Sequence, residues 1–249
     1  MKLAIVAITR HGIALAGRIL AALPDARLFV PEKFRADAER VAPDTTCCYQ
    51  GKVGEQIPAL FADFEGIIAI ISVGAVVRLI APHLRDKTLD PAVVVVDEAG
   101  KFAIPVLSGH LGGANALAVQ LATVLGGTPV LTTASDVQQT LAVDLLGREL
   151  GWTLDASHET LVRASAAVVN DEPVALVQEG GRVDWWRTHA NGRTGPLPAN
   201  VALFDRLEAV DPNAFAAVLW ISYRELPAEL AESLRGKLLI YRPALPMSL

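Results

Sequence analysis

The stretch GIIAIISVGAVVRLI, residues 66–80, decides the fold class. Its apolar run at 67–71 is typical of a central strand that is covered on both faces. Ser72, Val73 and Gly74 then provide a turn into a helix that starts near Ala75. A buried strand that leads through a short loop into a helix is the repeating unit of a parallel sheet with crossover helices.

The same alternation extends in both directions from this stretch. Further strands are predicted at residues 2–8, 27–30, 92–96, 102–107 and 130–133, with helices at 12–23, 56–64 and 114–125. The polar segment 35–51 is predicted to be irregular and exposed. The sequence therefore predicts an α/β domain over residues 1–138, with an open, mostly parallel sheet and helices on both faces.

A second, smaller α/β unit is predicted over residues 139–249. It would begin with a helix from 138 to 151 and contain strands near 173–178, 201–204, 217–221 and 237–241, with helices at 158–167 and 227–234. The segment 180–200 is predicted to be a surface loop or hairpin. Its adjacent Trp185 and Trp186 are expected to divide between a core face and an exposed face.

Composition excludes several functional classes. The chain has 249 residues, of which 52% are hydrophobic and 20% charged, so it is globular and not disordered. The formal net charge of −5 gives no general attraction to nucleic acid or to an anionic membrane. The apolar stretch 214–221 is far shorter than the roughly 18 residues that span a bilayer.

The two cysteines, Cys47 and Cys48, are adjacent and cannot form a disulfide framework. Arg10, His11 and Arg18 interrupt the apolar residues near the start, which disfavours a signal peptide. We therefore expect a reducing compartment, the cytoplasm.

The glycine cluster after Leu107 is the strongest local signal, because glycines next to a helix start can form a cradle for an anion or a carbonyl oxygen. Its spacing matches neither a P-loop nor the dinucleotide fingerprint, which disfavours a dinucleotide-dependent enzyme. A serine-hydrolase elbow would require glycine where Val106 stands. The alternative is a tight structural turn, with His110 either a general acid or base or a satisfied structural side chain.

Asp97 and Glu98 follow an apolar strand, at the end where open α/β sheets bind ligands. They can act as base or acid, or simply form the turn. Arg78 and Lys101 can hold substrate carboxylates, although surface cations are the commoner explanation. Asp136, after Thr132 and Thr133, can bind a ligand or cap the next helix.

Four sequence blocks resemble the amino-terminal region of the CbiG family of cobalamin biosynthesis. They are ISVGAVVR (71–78), DPAVVVVDEAGKF (90–102), LSGHLGGAN (107–115) and TTASD (132–136). The resemblance is strong over residues 66–136, and the remainder loosely resembles the middle region of that family.

The resemblance implies a cobalt-precorrin-5A hydrolase, which opens the δ-lactone of a cobalt corrinoid and releases acetaldehyde. The small-molecule substrate carries the cobalt, so no cofactor and no metal site on the protein are expected. The resemblance also implies a further carboxyl-terminal domain. Three alternatives follow: this domain resides on a separate chain, the protein performs the step without it, or the protein has another role in a related ring-contraction pathway. If catalysis required that domain, this chain would be a non-catalytic corrinoid-binding subunit or carrier.

We expect the helix start at 109–115 to stabilise the lactone oxyanion, and His110, Asp97 or Glu98 to activate the attacking water. This hypothesis has the histidine facing the two carboxylates. The open sheet edge and the apolar residues 214–221 are compatible with a homodimer without requiring one. The predicted substrate-binding residues are Ser72, Gly74, Arg78, Lys101, Ser108, Gly109, Gly112, Gly113, Asn115, Thr132, Thr133 and Asp136.

Overall fold

The computed structural model describes residues 1–86, 89–110, 112–133, 140–187 and 196–244. The chain forms two compact units, residues 1–131 and 132–249. The boundary predicted from the sequence, between 138 and 139, falls within the segment 134–139, which lies outside the described residues.

The first unit is built on a seven-stranded sheet with the order β3-β2-β1-β4-β5-β6-β7. The first five strands are parallel, whereas β6 runs antiparallel to β5 and β7 runs parallel to β6. The strands are β1 (Leu3–Ala7), β2 (Arg27–Pro31), β3 (Thr46–Tyr49), β4 (Gly66–Ile70), β5 (Ala92–Val96), β6 (Phe102–Leu107) and β7 (Thr128–Pro129).

Helices cover both faces of this sheet, as predicted. They are α1 (Arg10–Ala22), α2 (Arg35–Val41), α3 (Ile57–Asp63), α4 (Val73–Ile80) and α5 (Ala114–Leu125). Successive residues of a strand point to opposite faces. Accordingly, Val94 packs in the core with α1, α2 and α5, whereas Val93 and Val95 pack in the core with α3 and α4. Complete burial of each such side chain contributes about 1.5–3 kcal/mol.

The second unit contains a five-stranded sheet with the order β10-β9-β11-β12-β8, parallel except at the antiparallel edge strand β8. This confirms a second α/β unit. Its elements are β8 (Thr153–Asp155), α6 (His158–Val169), β9 (Val174–Gln178), β10 (Val201–Phe204), β11 (Ala217–Ile221), α7 (Ala228–Ala231) and β12 (Leu238–Arg242).

Two predictions in the first unit are wrong. The segment 35–51 is not irregular, because it contains α2 and β3. β3 lies at the edge of the sheet and is only partly buried, so its sequence lacks the apolar run of a central strand. No strand forms at 130–133, because β7 ends at Pro129. Beyond it, the Val130 N–H donates to the Ala103 carbonyl at 2.9 Å.

Three predictions in the second unit are also wrong. Over residues 140–151 the chain forms two short 3-10 turns instead of a helix, since Gly147 adopts a left-handed conformation (φ 73°) against the Trp152 ring. The helix predicted at 227–234 is limited to α7. Trp185 and Trp186 are both buried, and the Trp185 Nε1 donates to Gln178 Oε1 at 2.8 Å, which satisfies its polar atom.

None of the helices in the described ranges has the length and apolar character that crossing a membrane requires.

Candidate functional site

The candidate residues of the first unit lie at the two opposite ends of its strands, and each set of strand ends forms one edge of the sheet. Because β6 is antiparallel to β5, with Val96 beside Ala103 and Val93 beside Leu107, the loops after these strands point in opposite directions. We call the edge with Thr9, Ser72 and Glu98 the glutamate edge. The edge with Asp90, Ser108 and His110 is the glycine-loop edge.

The expectation that His110 faces Asp97 and Glu98 is therefore wrong. A five-residue strand rises about 3.3 Å per residue, which separates the two edges by roughly 16 Å. A general acid or base must come within about 3 Å of the proton that it transfers. His110 and Glu98 thus cannot act on the same reacting atom in this structure, and each edge is a separate candidate site.

The glutamate edge contains the topological switch point of the sheet. After β1 the chain turns to β2 and β3 on one side, and it returns to place β4 on the other side of β1. Open α/β sheets bind ligands in the crevice that forms at the carboxyl ends of strands at such a point. Here the crevice lies between the start of α1 and the start of α4.

A hydrogen bond between Thr9 and Glu98 crosses this crevice. The Thr9 hydroxyl donates to Glu98 Oε1 and accepts from the Gly12 N–H at 3.0 Å, which caps α1. Because β4 lies between β1 and β5, the Glu98 side chain must reach over the end of β4 to make this bond. Within the described part of the chain, Glu98 Oε2 has no hydrogen-bond partner, and the side chain is exposed.

The start of α4 presents backbone donors at the same crevice. Ser72 is the N-cap, and its carbonyl accepts from the N–H groups of Ala75 and Val76 at 3.1 Å. The N–H groups of Val73 and Gly74 precede these and have no intrahelical acceptor. A Cβ at Gly74 would meet no described atom within 4 Å, so this turn faces open space.

Asp97 belongs to the hairpin between β5 and β6. Its Oδ1 accepts from the Phe102 N–H at 2.6 Å and its Oδ2 from the Ala99 N–H at 3.1 Å. Both oxygens of Asp97 are thus occupied by the turn. Lys101 is exposed at the same edge, and Arg78 is exposed near the end of α4.

Tyr49, the last residue of β3, is a buried side chain at this edge. Burial raises the pKa of the Tyr49 phenol to about 12. Among the residues that the structure describes, its hydroxyl has no hydrogen-bond partner. An unsatisfied buried hydroxyl costs about 1–3 kcal/mol.

At the glycine-loop edge, the loop that was expected to bind a ligand forms hydrogen bonds within its own backbone. The N–H groups of Gly113, Ala114 and Asn115 donate to the carbonyls of His110, Ser108 and Gly109 at 2.9–3.1 Å. These three donors are therefore used within the loop. Ser108 itself adopts a left-handed conformation (φ 55°), and its hydroxyl donates to the Asp90 carbonyl at 2.8 Å.

The glycines of this loop are required by close packing. A Cβ at Gly112 would lie 2.8 Å from the Ser108 carbonyl oxygen and against the Ser108 Cβ, and one at Gly109 would lie 2.8 Å from Asn115 Oδ1. Gly113 has φ 87° at the N-cap of α5. The tight structural turn, which the sequence left open as an alternative, accounts for all three glycines.

The remaining candidates belong to the second unit. Thr132 is exposed and Thr133 half-buried at its first two residues, and Asp136 lies outside the described residues.

Thr9 and Asp90 are not among the site residues predicted from the sequence. Thr9 has the signal of an N-cap, a threonine between an apolar strand and a periodic helix, but its partner Glu98 is 89 residues away. Asp90 enters the sequence analysis only as the first residue of the block 90–102. Its carboxylate accepts from the Arg85 N–H through both oxygens at 3.1 Å.

Among the described residues, no group of three or more His, Cys, Asp or Glu side chains is arranged to hold a metal ion.

Comparison with known protein families gives two matches along the chain. Residues 55–136 match the family described as Cobalamin synthesis G N-terminal. Residues 141–243 match the family described as Cobalamin biosynthesis central region. The first match includes Glu98 and the glycine loop, whereas Thr9 precedes it.

Two curated relatives are named cobalt-precorrin-5A hydrolase. The protein of Priestia megaterium is 40% identical over 240 residues, which is 96% of this chain and 62% of the relative. The protein of Salmonella typhimurium is 36% identical over 185 residues, 74% of this chain and 48% of the relative. The chain thus spans less than two thirds of the length of these relatives.

A solved structure described as a cobalamin biosynthesis protein G homolog from Sulfolobus solfataricus is also similar. It aligns with a TM-score of 0.48 and 18% identity, covering 97% of this chain and 60% of that one.

Proposed function

This chain carries the amino-terminal and central domains of the CbiG family of cobalamin biosynthesis, and from that premise we propose that it hydrolyses the δ-lactone of cobalt-precorrin-5A. The products are cobalt-precorrin-5B and acetaldehyde. The observation that carries the proposal is the 40% identity to a cobalt-precorrin-5A hydrolase over 96% of this chain, which includes both units.

The reaction is assigned to the glutamate edge. The crevice at the switch point is open, its carboxylate is exposed, and the first N–H groups of α4 have no acceptor within their own helix. At the glycine-loop edge, by contrast, the N–H groups of Gly113, Ala114 and Asn115 are already bonded within the loop. An open edge suits a large, flat macrocycle that carries carboxylate groups around its rim.

Glu98 is the proposed general base. Thr9 holds Oε1, so Oε2 can take a proton from the water that attacks the lactone carbonyl carbon. General base catalysis of this kind contributes about 10²–10⁴-fold. When the tetrahedral intermediate collapses, the ring C–O bond breaks and the proton passes from Glu98 to the departing oxygen, which becomes a hydroxyl.

The N–H groups of Val73 and Gly74 are the proposed oxyanion donors. A donor that is aimed at the developing oxyanion contributes about 3–4 kcal/mol. Acetaldehyde then forms when the released hydroxyl loses its proton and its carbon–carbon bond to the ring breaks, while the ring carbon takes up a proton. Ser72 and Lys101, at the same edge, bind carboxylates of the substrate.

The glycine loop has a supporting role in this proposal. Ser108, Gly109, Gly112, Gly113 and Asn115 set the course of the chain from β6 into α5, and His110 is part of that turn. The chain needs no cofactor of its own, because the cobalt arrives with the substrate. We place the reaction in the cytoplasm and propose that the chain acts there as a homodimer.

The test is turnover by the purified chain alone. Cobalt-precorrin-5A in its lactone form is incubated with the chain without oxygen, and both acetaldehyde and the mass of the corrinoid are measured. We expect release of acetaldehyde, with kcat reduced about 10²–10⁴-fold in Glu98→Gln because the base is lost while the side-chain shape is kept. Glu39→Gln is the matched control, since Glu39 is an exposed glutamate paired with Arg35 on α2.

Two results would contradict the proposal. Binding of the corrinoid without acetaldehyde release would support the non-catalytic corrinoid-binding subunit or carrier instead. Equal turnover by Glu98→Gln and Glu39→Gln would remove Glu98 from the chemistry. Sedimentation velocity of the same sample distinguishes monomer from homodimer.

A further inference from the structure

A cleft of about 240 Å³ lies beside the amino end of β5 in the first unit. It is formed between α3 and the segment that follows α4, with Asp90 and Pro91 at its base. These residues precede β5, whereas Glu98 follows it, so the cleft is at the opposite end of this strand from the proposed active site. Pockets for drug-sized ligands measure roughly 300–1,000 Å³, so this cleft suits a smaller molecule and not a corrinoid macrocycle.

One part of the cleft wall is apolar. Phe61 and Pro82 line it, and the rings of Phe61 and His83 lie 6.1 Å apart. Leu84 and Leu89 complete this part and are 47% and 76% exposed, which is unusual for large apolar side chains in so small an area. A ligand with an apolar body would remove these surfaces from water, at about 25 cal/mol per Å².

The cleft lining also contains one arginine and one aspartate. Arg85 lines it, and within the described residues its guanidinium forms no ion pair. Asp90 is the acidic residue in the lining, but it is 9% exposed and both of its oxygens accept from the Arg85 backbone N–H. The hydrogen bonds from the Arg85 N–H partly offset the negative charge of Asp90. Because they use the backbone of Arg85, its guanidinium is available to bind an anion.

We propose that this cleft binds a small organic carboxylate with an apolar body. The carboxylate pairs with the Arg85 guanidinium, and the body packs between Phe61, Pro82 and Leu89. A planar body is favoured, because the Phe61 ring offers a flat surface. This site is independent of lactone hydrolysis, and no residue of the glutamate edge contributes to it.

The test uses benzoate as the probe and benzamide as its neutral isostere. Both are titrated into the full chain, isotope-labelled for NMR, while the backbone amide signals of residues 84 and 85 are followed. We expect saturable shifts with benzoate, and binding of benzamide at least about 10-fold weaker because the charge-assisted contact is lost. Arg85→Gln should weaken benzoate binding by a similar factor, and Phe61→Leu should weaken it several-fold.

Arg78→Gln is the matched control, since Arg78 is an exposed arginine on α4 that does not line the cleft. It should leave benzoate binding unchanged. The proposal is overturned if benzoate causes no saturable shift up to about 20 mM, a concentration that would still detect very weak binding. Equal affinity for benzamide, or undiminished binding by Arg85→Gln, would overturn it as well. Turnover of cobalt-precorrin-5A does not enter this test, so it is independent of the outcome at Glu98.

Discussion

Gly112→Ala is expected to destabilise the first unit, because the added methyl group has no room. Its carbon would lie 2.8 Å from the Ser108 carbonyl oxygen and in contact with the Ser108 Cβ. The Ser108 backbone cannot easily move away, since its carbonyl accepts from the Ala114 N–H and its side chain is bonded to Asp90. Gly74→Ala is the matched control, because a Cβ there meets no described atom within 4 Å.

The two substitutions are expected to change the free energy of unfolding in opposite directions. Overpacking costs typically about 1–3 kcal/mol, and the entropy lost from the unfolded chain returns about 0.4–1 kcal/mol. We therefore expect Gly112→Ala to lower the free energy of unfolding by about 1–2 kcal/mol. Gly74→Ala, in the first turn of α4, should raise it by up to about 1 kcal/mol.

The assay must report on the first unit. All four tryptophans, Trp152, Trp185, Trp186 and Trp220, belong to the second unit, so tryptophan fluorescence follows that unit alone. Urea unfolding is therefore followed by far-ultraviolet circular dichroism, with fluorescence recorded on the same samples. With an m-value of about 1–3 kcal/mol per M, the loss moves the midpoint by roughly 1 M.

The reasoning would be refuted if Gly112→Ala unfolded at the same urea concentration as the unmodified chain. It would also be refuted if Gly74→Ala destabilised the first unit as much as Gly112→Ala, because the packing around the two glycines would then not determine the result.

Three other substitutions test separate features. Thr9→Val should lower the free energy of unfolding by about 1 kcal/mol and reduce kcat, whereas Thr9→Ser, which keeps the hydroxyl, should leave both close to those of the unmodified chain. Equal kcat for the two variants would exclude a role for Thr9 in positioning Glu98. The pKa of Tyr49, raised to about 12 against 10 for the unfolded chain, means that the native state keeps a proton that the unfolded state loses. First-unit stability should therefore fall as pH rises from 10 towards 12, and an equally steep fall in Tyr49→Phe would disprove this origin. Glu179 accepts from the Leu207 N–H, Ser222 Oγ and Arg224 Nη1 at 2.9 Å. Glu179→Ala leaves the buried Leu207 N–H and Ser222 hydroxyl without this acceptor, so it should cost about 1–3 kcal/mol, measured by tryptophan fluorescence with exposed Glu229→Ala as the control. A loss below 1 kcal/mol would show that this network is not important for stability.

Strands with continuous apolar runs were predictable from the sequence. The run at 92–96 and the run at 67–71 became the central strands β5 and β4 because burial on both faces requires apolar side chains at every position. The edge strand β3, with TCCY only partly buried, carried no such pattern. The short antiparallel strand β8 was missed for the same reason.

The direction of β6 could not be read from its composition. An apolar strand has the same pattern in either direction, and the turn at 97–101 alone reverses it. The sequence pattern therefore cannot show that Glu98 and His110 lie at opposite ends of the strands. The position of Glu98 just after a strand was predictable from the sequence. Its hydrogen bond to Thr9 was not, because the two residues are 89 positions apart and meet only in the folded sheet.

The glycine loop illustrates a different limit. Its glycines have the composition of a ligand cradle, and only the backbone hydrogen bonds of Gly113, Ala114 and Asn115 show that the donors are used internally. Sequence alone cannot distinguish a loop that surrounds a ligand from one that packs against itself, since glycine permits close approach in both cases.

We propose that catalysis takes place at the glutamate edge. The most direct measurement is single-turnover acetaldehyde release from cobalt-precorrin-5A by Glu98→Gln and His110→Gln, compared with the unmodified chain. We expect a loss of about 10²–10⁴-fold for Glu98→Gln and a rate within about 3-fold of the unmodified chain for His110→Gln. The opposite result, with release abolished in His110→Gln and unchanged in Glu98→Gln, would contradict it and move the chemistry to the glycine-loop edge.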